Sequence, residues 1–155
     1  MKYARRQFLK SSSQTLLLGL VAAAGLVPGV SRSAQWNEAA FSSKSVEEAL
    51  EALGGNAPQQ SDGVILDGPE IAENGAVVPL EISSNLDKTE LIAILVEKNP
   101  NILAGEFVMS PSTLPELQTR VKMAETSNVY AVVKADGKFY YAVKEIKVTL
   151  GGCGG

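Results

Sequence analysis

A chain of 155 residues with 14 Lys and Arg, 17 Asp and Glu, one Cys and no His has room for one ordinary domain, not a large multidomain enzyme. A hydrophobic content of 45% supports a packed core and argues against wholesale disorder. The lack of His removes the commonest general base and the commonest metal ligand, which excludes a Ser-His-Asp triad, a helical two-His zinc site and a c-type haem attachment.

Residues 1–34 read as an export signal rather than as part of the folded protein. They hold five basic residues (Lys2, Arg5, Arg6, Lys10 and Arg32) and no acidic one. The run Arg5-Arg6-Gln7-Phe8-Leu9-Lys10 has the pattern of a twin-arginine signal, with the paired Arg, Phe8 and Leu9 in place. The 12 apolar residues Leu16 to Val27 suit a signal h-region and fall short of the roughly 20 that a membrane span needs. Pro28-Gly29 breaks a helix, and Ser31-Arg32-Ser33-Ala34 offers small residues for cleavage near Ser33 or Ala34. An uncleaved anchor is the alternative. The expectation is a periplasmic protein, exported already folded and free of the membrane after cleavage.

Without the signal, nine basic residues face 17 acidic ones, a net charge of −8. That charge repels nucleic acid and anionic membranes, and favours a basic protein partner.

Residues 35–63 are expected to hold one short helix and a linker. Ser45-Val46-Glu47-Glu48 fits a capping box, and Val46, Ala49, Leu50 and Leu53 make one apolar helical face. Gly54-Gly55 suits its end, and Asn56 to Gly63 reads as a polar linker. Glu47, Glu48 and Glu51 make the other face acidic, so the helix is expected to pack on the domain rather than lie on a membrane.

Residues 64–150 carry short strands between turns. Val64 to Leu66 precedes Asp67-Gly68-Pro69, and Ala76 to Ser83 follows Glu73-Asn74-Gly75. Pro79 within the second suggests an edge strand or a bulge. Thr89 to Glu97 is apolar enough for burial on both faces, and Ile102 to Met109 follows Asn99-Pro100-Asn101. Leu117, Thr119, Val121 and Met123 alternate with polar residues. Asn128 to Lys134 and Lys138 to Lys144 flank Asp136-Gly137, a hairpin signal. Beyond it, odd-numbered Phe139, Tyr141 and Val143 give way to even-numbered Ile146, Val148 and Leu150, a slip that a bulge at Lys144-Glu145 would explain. The last strand should run to about Leu150. The expected fold is all-β, a two-sheet antiparallel sandwich, with a small closed barrel as the runner-up.

Chemistry concentrates in residues 151–155, Gly151-Gly152-Cys153-Gly154-Gly155. Four glycines predict a mobile arm, and from Leu150 to Cys153 three extended residues reach roughly 10 Å. With no side chain beside Cys153, such a stalk could thread a narrow pocket in another protein. A lone Cys is anomalous in an exported chain, since that compartment oxidises thiols. No resolving Cys is present, and no neighbouring cation would lower the thiol from about 8.5, so redox catalysis by Cys153 alone is disfavoured. The thiol reads as an attachment point that a partner enzyme must ionise. A β module tethered through an intermolecular disulfide is the bland alternative. A terminal-thiocarboxylate carrier is suggested by Gly154-Gly155, but it would need ATP that an exported chain lacks.

The terminal Gly-Gly-Cys-Gly-Gly behind a twin-arginine signal and a β domain resembles the SoxY family, the sulfur-carrier subunits of bacterial thiosulfate oxidation. Ala49 to Gly55, Ile71 to Pro79 and Arg120 to Ala124 are similar to segments of that family as well. The resemblance implies an immunoglobulin-like sandwich paired with SoxZ, a second small β protein that travels without its own signal. It implies that the haem-containing SoxAX joins thiosulfate to Cys153 and that SoxB, a manganese enzyme, releases sulfate. SoxCD, where present, would oxidise the remaining sulfane sulfur. The chain itself would be a non-catalytic carrier with no bound cofactor or metal, holding only covalent sulfur intermediates on Cys153.

Overall fold

The computed structural model describes residues 37–55 and 57–151. The export-signal residues Arg5, Arg6, Phe8 and Leu9 and the arm residues Gly152, Cys153, Gly154 and Gly155 lie outside the described residues.

Two short helices come first, α1 (Glu38–Ser42) and α2 (Val46–Ala52). In α2 the Ser45 side chain accepts from the Glu48 amide at 3.1 Å, which is the expected cap. The Glu48 carboxylate reaches back one residue further than a capping box does, accepting from the Lys44 amide at 2.8 Å. Gly54, at φ 84°, closes the helix as expected. The sequence reading missed α1. At five residues it is too short to show a period, and its only local signal is the Asn37 cap, whose Oδ1 accepts from Ala40 at 3.2 Å. The same Asn37 donates through Nδ2 to the Ala52 carbonyl at 3.0 Å, tying the start of one helix to the end of the next.

Nine strands follow: β1 (Gln59–Gln60), β2 (Val64–Asp67), β3 (Ile71–Ala72), β4 (Val78–Ser84), β5 (Thr89–Val96), β6 (Leu103–Val108), β7 (Glu116–Val121), β8 (Ser127–Ala135) and β9 (Lys138–Val148). They form two sheets, a large one ordered β1-β9-β8-β5-β6 and a small one ordered β2-β4-β7. The expected sandwich is therefore present, and the barrel is not. The long strands pair antiparallel, while β1 and β3 run parallel to β9 and cover successive halves of its outer edge. Covering that edge removes a row of free backbone groups that would otherwise invite another strand.

Two apolar layers hold the fold together. Ile82, Ile92, Ile94, Val129, Val133, Met123 and Ile146 fill the space between the sheets. Ala93, Leu95, Val132 and Phe139 face the other way and pack under Ala40 and Ala49 of the helices. Neighbours along β5 thus serve opposite layers, so the unbroken apolar run at residues 91–96 is the part of the strand buried on both faces.

The same two-sided burial corrects the expected bulge. The β8–β9 register runs unbroken from Ser127 opposite Ile146 to Ala135 opposite Lys138. Phe139 and Tyr141 pack under the helices, whereas Tyr140, Ala142, Ile146 and Val148 pack toward the small sheet. The switch from odd to even apolar positions records which layer is thicker at each point along β9. The strand also stops at Val148, short of Leu150. Pro79 lies not on an edge strand but on β4, the middle strand of the small sheet. Pairing with β2 reaches only Glu81, so at Pro79 the strand has a single neighbour and the missing N–H costs no ladder bond on the other side. Asp136 and Gly137, at φ 48° and 75°, form the expected tight hairpin turn.

Candidate functional site

Gly151 is the described end of the arm, and its position follows from how β9 finishes. After Val148 the chain leaves the sheet but does not leave the body. The Val148 amide donates to the Thr126 hydroxyl at 2.9 Å, and the Thr149 amide donates to the Ala72 carbonyl at 3.1 Å. The Thr149 hydroxyl donates to the Glu73 carbonyl at 2.9 Å. The Leu150 carbonyl accepts from the Gly75 amide at 2.7 Å. Each of these is a long-range tie, so Thr149 and Leu150 are held as firmly as strand residues.

Gly75 is the hinge pin of this arrangement. Its amide holds Leu150, and its carbonyl accepts from the Met123 amide at 2.7 Å. Asn99 fixes the next residue: its Oδ1 accepts from the Ala124 amide at 2.9 Å, while its Nδ2 donates to the Lys122 carbonyl at 2.7 Å. Gly151 then lies against Ala124. A Cβ placed on Gly151 would sit 2.2 Å from the Ala124 carbonyl oxygen. That oxygen belongs to a backbone clamped by Asn99, so any side chain at 151 would force the arm root to move. Gly151 is required here for close approach, which is a different job from that of a spacer.

Of the residues singled out in the sequence, the structure thus places Gly151 alone. The residues that root it (Thr126, Gly75, Asn99 and Ala124) were missed as a set. Their only sequence signals were the turn motifs Glu73-Asn74-Gly75 and Asn99-Pro100-Asn101, which mark a bend without showing what it grips. Two of the segments quoted above for resemblance, Ile71 to Pro79 and Arg120 to Ala124, meet at this root.

The surface around the root is mixed. Leu150, Ile71 and Val77 are 66%, 58% and 53% exposed, beside the exposed carboxylates Glu70, Glu73 and Glu125. The shifted ionisations lie elsewhere. Lys88 and Asp136, joined at 2.8 Å, raise and lower one another respectively beside the hairpin turn, at the far end of β9. Burial pushes the Tyr130 hydroxyl up. Among the described residues no group of three or more His, Cys, Asp or Glu is arranged to hold a metal, and no helix is long and apolar enough to cross a membrane.

The family of the sulfur oxidation protein SoxY matches residues 49–153, a span that ends on Cys153. The chain is similar to the sulfur carrier protein SoxY from Chlorobium limicola f thiosulfatophilum at 38% identity and a TM-score of 0.61, over 67% of this chain and 96% of that one. It is also similar to the superoxide reductase (neelaredoxin) from Ignicoccus hospitalis at 18% identity and a TM-score of 0.49, over 55% of this chain and 79% of that one. No curated protein matches it.

Proposed function

The chain belongs to the SoxY family of sulfur oxidation proteins, and on that premise we propose how it carries sulfur in thiosulfate oxidation: covalently, on the Sγ of Cys153. The observation behind this reading is the pairing of a lone thiol, set among glycines, with a root that the body holds at Gly151. From Gly151 to Cys153 is two residues, about 7 Å when extended. The thiol can therefore leave the body surface while its starting point stays defined.

An isolated thiol has a pKa of about 8.5, so only a few per cent is thiolate at neutral pH. The enzyme that uses it must supply the ionisation. In the loading step the Cys153 sulfur bonds to the outer sulfur of thiosulfate. One S–S bond forms, the thiol proton goes to solvent, and two electrons pass to the haem of SoxAX. SoxB then hydrolyses the bond between that sulfur and the sulfonate. Water supplies the fourth oxygen of sulfate and a proton to the persulfide left on Cys153. SoxCD, where present, oxidises that sulfane sulfur, and a second hydrolysis restores the thiol.

In this reading the chain turns nothing over and binds no cofactor; the haem and manganese belong to its partners. It is exported by the twin-arginine route and works in the periplasm as a heterodimer with SoxZ. The twin-arginine pattern Arg5-Arg6-Gln7-Phe8-Leu9-Lys10 supports this, because that route carries folded proteins and a partner without its own signal can travel with the chain.

Replacing Cys153 by Ser tests the reading. The variant should retain the melting temperature of the parent, since the two core layers are filled by side chains from residues 40–148, and should support no thiosulfate oxidation in the reconstituted system. Retained oxidation would refute the assignment. A parent chain that ends as a stable intermolecular disulfide, without sulfur adducts, would favour the tethered β module instead.

A further inference from the structure

The short reach of the arm has a geometric consequence for whatever acts on it. Cys153 lies two residues beyond Gly151, with only Gly152 between them, about 7 Å of backbone when extended. A protein that takes Cys153 into a recessed pocket must bring its own surface to within that distance of Gly151. It therefore touches the rim formed by residues 70–77 and 122–126 and by Leu150. We propose that this rim is the docking face for the enzymes that load and unload Cys153, with Leu150, Ile71 and Val77 as its apolar contacts.

Two of these side chains stand next to a buried neighbour. Ile71 alternates with buried Ala72, and Val77 precedes buried Val78. Leu150 lies two residues beyond Val148, the last residue of β9, and is held through its carbonyl by Gly75, so its side chain is presented from a fixed backbone. An aliphatic side chain on a rigid support loses little freedom on binding, which suits it to an interface anchor.

The occupant is an enzyme face with a cationic pocket mouth. The cargo, thiosulfate or a sulfonate on Cys153, is anionic, so the receiving pocket must be positive. The exposed Glu70, Glu73 and Glu125 outnumber the exposed Lys122 and Lys147 on and beside the rim, leaving it net acidic and complementary to that charge. A second copy of this chain is disfavoured, because two such rims would face each other with like charge. An anionic lipid surface is disfavoured for the same reason.

This inference rests on the carrier role of Cys153, and the test separates the two. The full mature chain, in complex with SoxZ, is supplied with thiosulfate, the haem-containing loading enzyme and an electron acceptor for its haem. Each variant is first checked for an unchanged complex with SoxZ. The rate of adduct formation on Cys153 is read by intact mass at low carrier concentration, for the parent and for Leu150→Asp, Ile71→Asp and Val108→Asp. Val108 is 70% exposed but lies on β6, three strand spacings or about 14 Å across the large sheet from β9. Alkylation of the thiol by iodoacetamide is measured in parallel. The two rim variants should load about tenfold more slowly, as for loss of an interface anchor. Their alkylation rates and melting temperatures should stay unchanged, and Val108→Asp should load like the parent. Rim variants loading within about twofold of the parent, or an equal loss in Val108→Asp, would overturn the docking face. A parent that alkylates but takes up no sulfur would overturn the carrier role itself, and the docking face with it.

Discussion

A methyl group on residue 151 would meet the Ala124 carbonyl at 2.2 Å, whereas one on Gly137 in the hairpin turn would meet nothing within 4 Å. The two glycines are needed for different reasons: Gly137 for its φ of 75°, Gly151 for space. Gly151→Ala should therefore act on the direction of the arm rather than on the fold. We expect enzymatic loading of Cys153 to slow several-fold while alkylation by a small reagent is unchanged, because a small reagent does not need the arm to point anywhere. Equal rates for variant and parent in the enzymatic assay would show that the root contact is incidental. Cys153 stands out in the sequence as a single thiol among four glycines, and it lies outside the described residues. The residues that root the arm do not stand out. Asn99 grips Ala124 from 25 positions away and Thr149 grips Glu73 from 76, and no local pattern encodes such pairings.

Among the elements, β5 carries the clearest test of the layered architecture. Ile94 faces the small sheet and Leu95 faces the helices, and both are fully buried. Ile94→Ala and Leu95→Ala should each cost about 2–5 kcal/mol in denaturant unfolding. If the strand were buried on one face only, one of the two would be nearly neutral. This two-sidedness was legible in the apolar run at 91–96, yet the same physics misled the reading of β9. There the even positions from Tyr140 to Val148 face the small sheet throughout, while the helix layer covers odd positions only at Phe139 and Tyr141, so the apolar pattern shifts from odd to even. A bulge produces the same pattern, and sequence alone does not separate the two causes. Helix α2 was legible through its cap and its apolar spacing, since both signals are local. Helix α1 and the two-residue strands β1 and β3 were not, because they exist through contacts with α2 and β9.

At the scale of the whole molecule, the fold serves as a stiff base for a short stalk. Helices, large sheet and small sheet lock together through two apolar layers, and β9 runs the length of the large sheet before handing the chain to Gly151. Residues 35–155 carry a net charge of −8, which repels nucleic acid and anionic membranes, and on the proposed reading the cargo on Cys153 is left for another protein to take. The account concentrates all of the chemistry on one sulfur atom. Its most direct test is to incubate the parent chain with the loading enzyme and thiosulfate, then locate the added mass by fragmentation. The account predicts one thiosulfate-derived group, bound only at Cys153 and released by a thiol reductant. A chain that comes out of incubation with thiosulfate and the loading enzyme alone with Cys153 still the bare thiol, or with sulfur bound at any other residue, would contradict it.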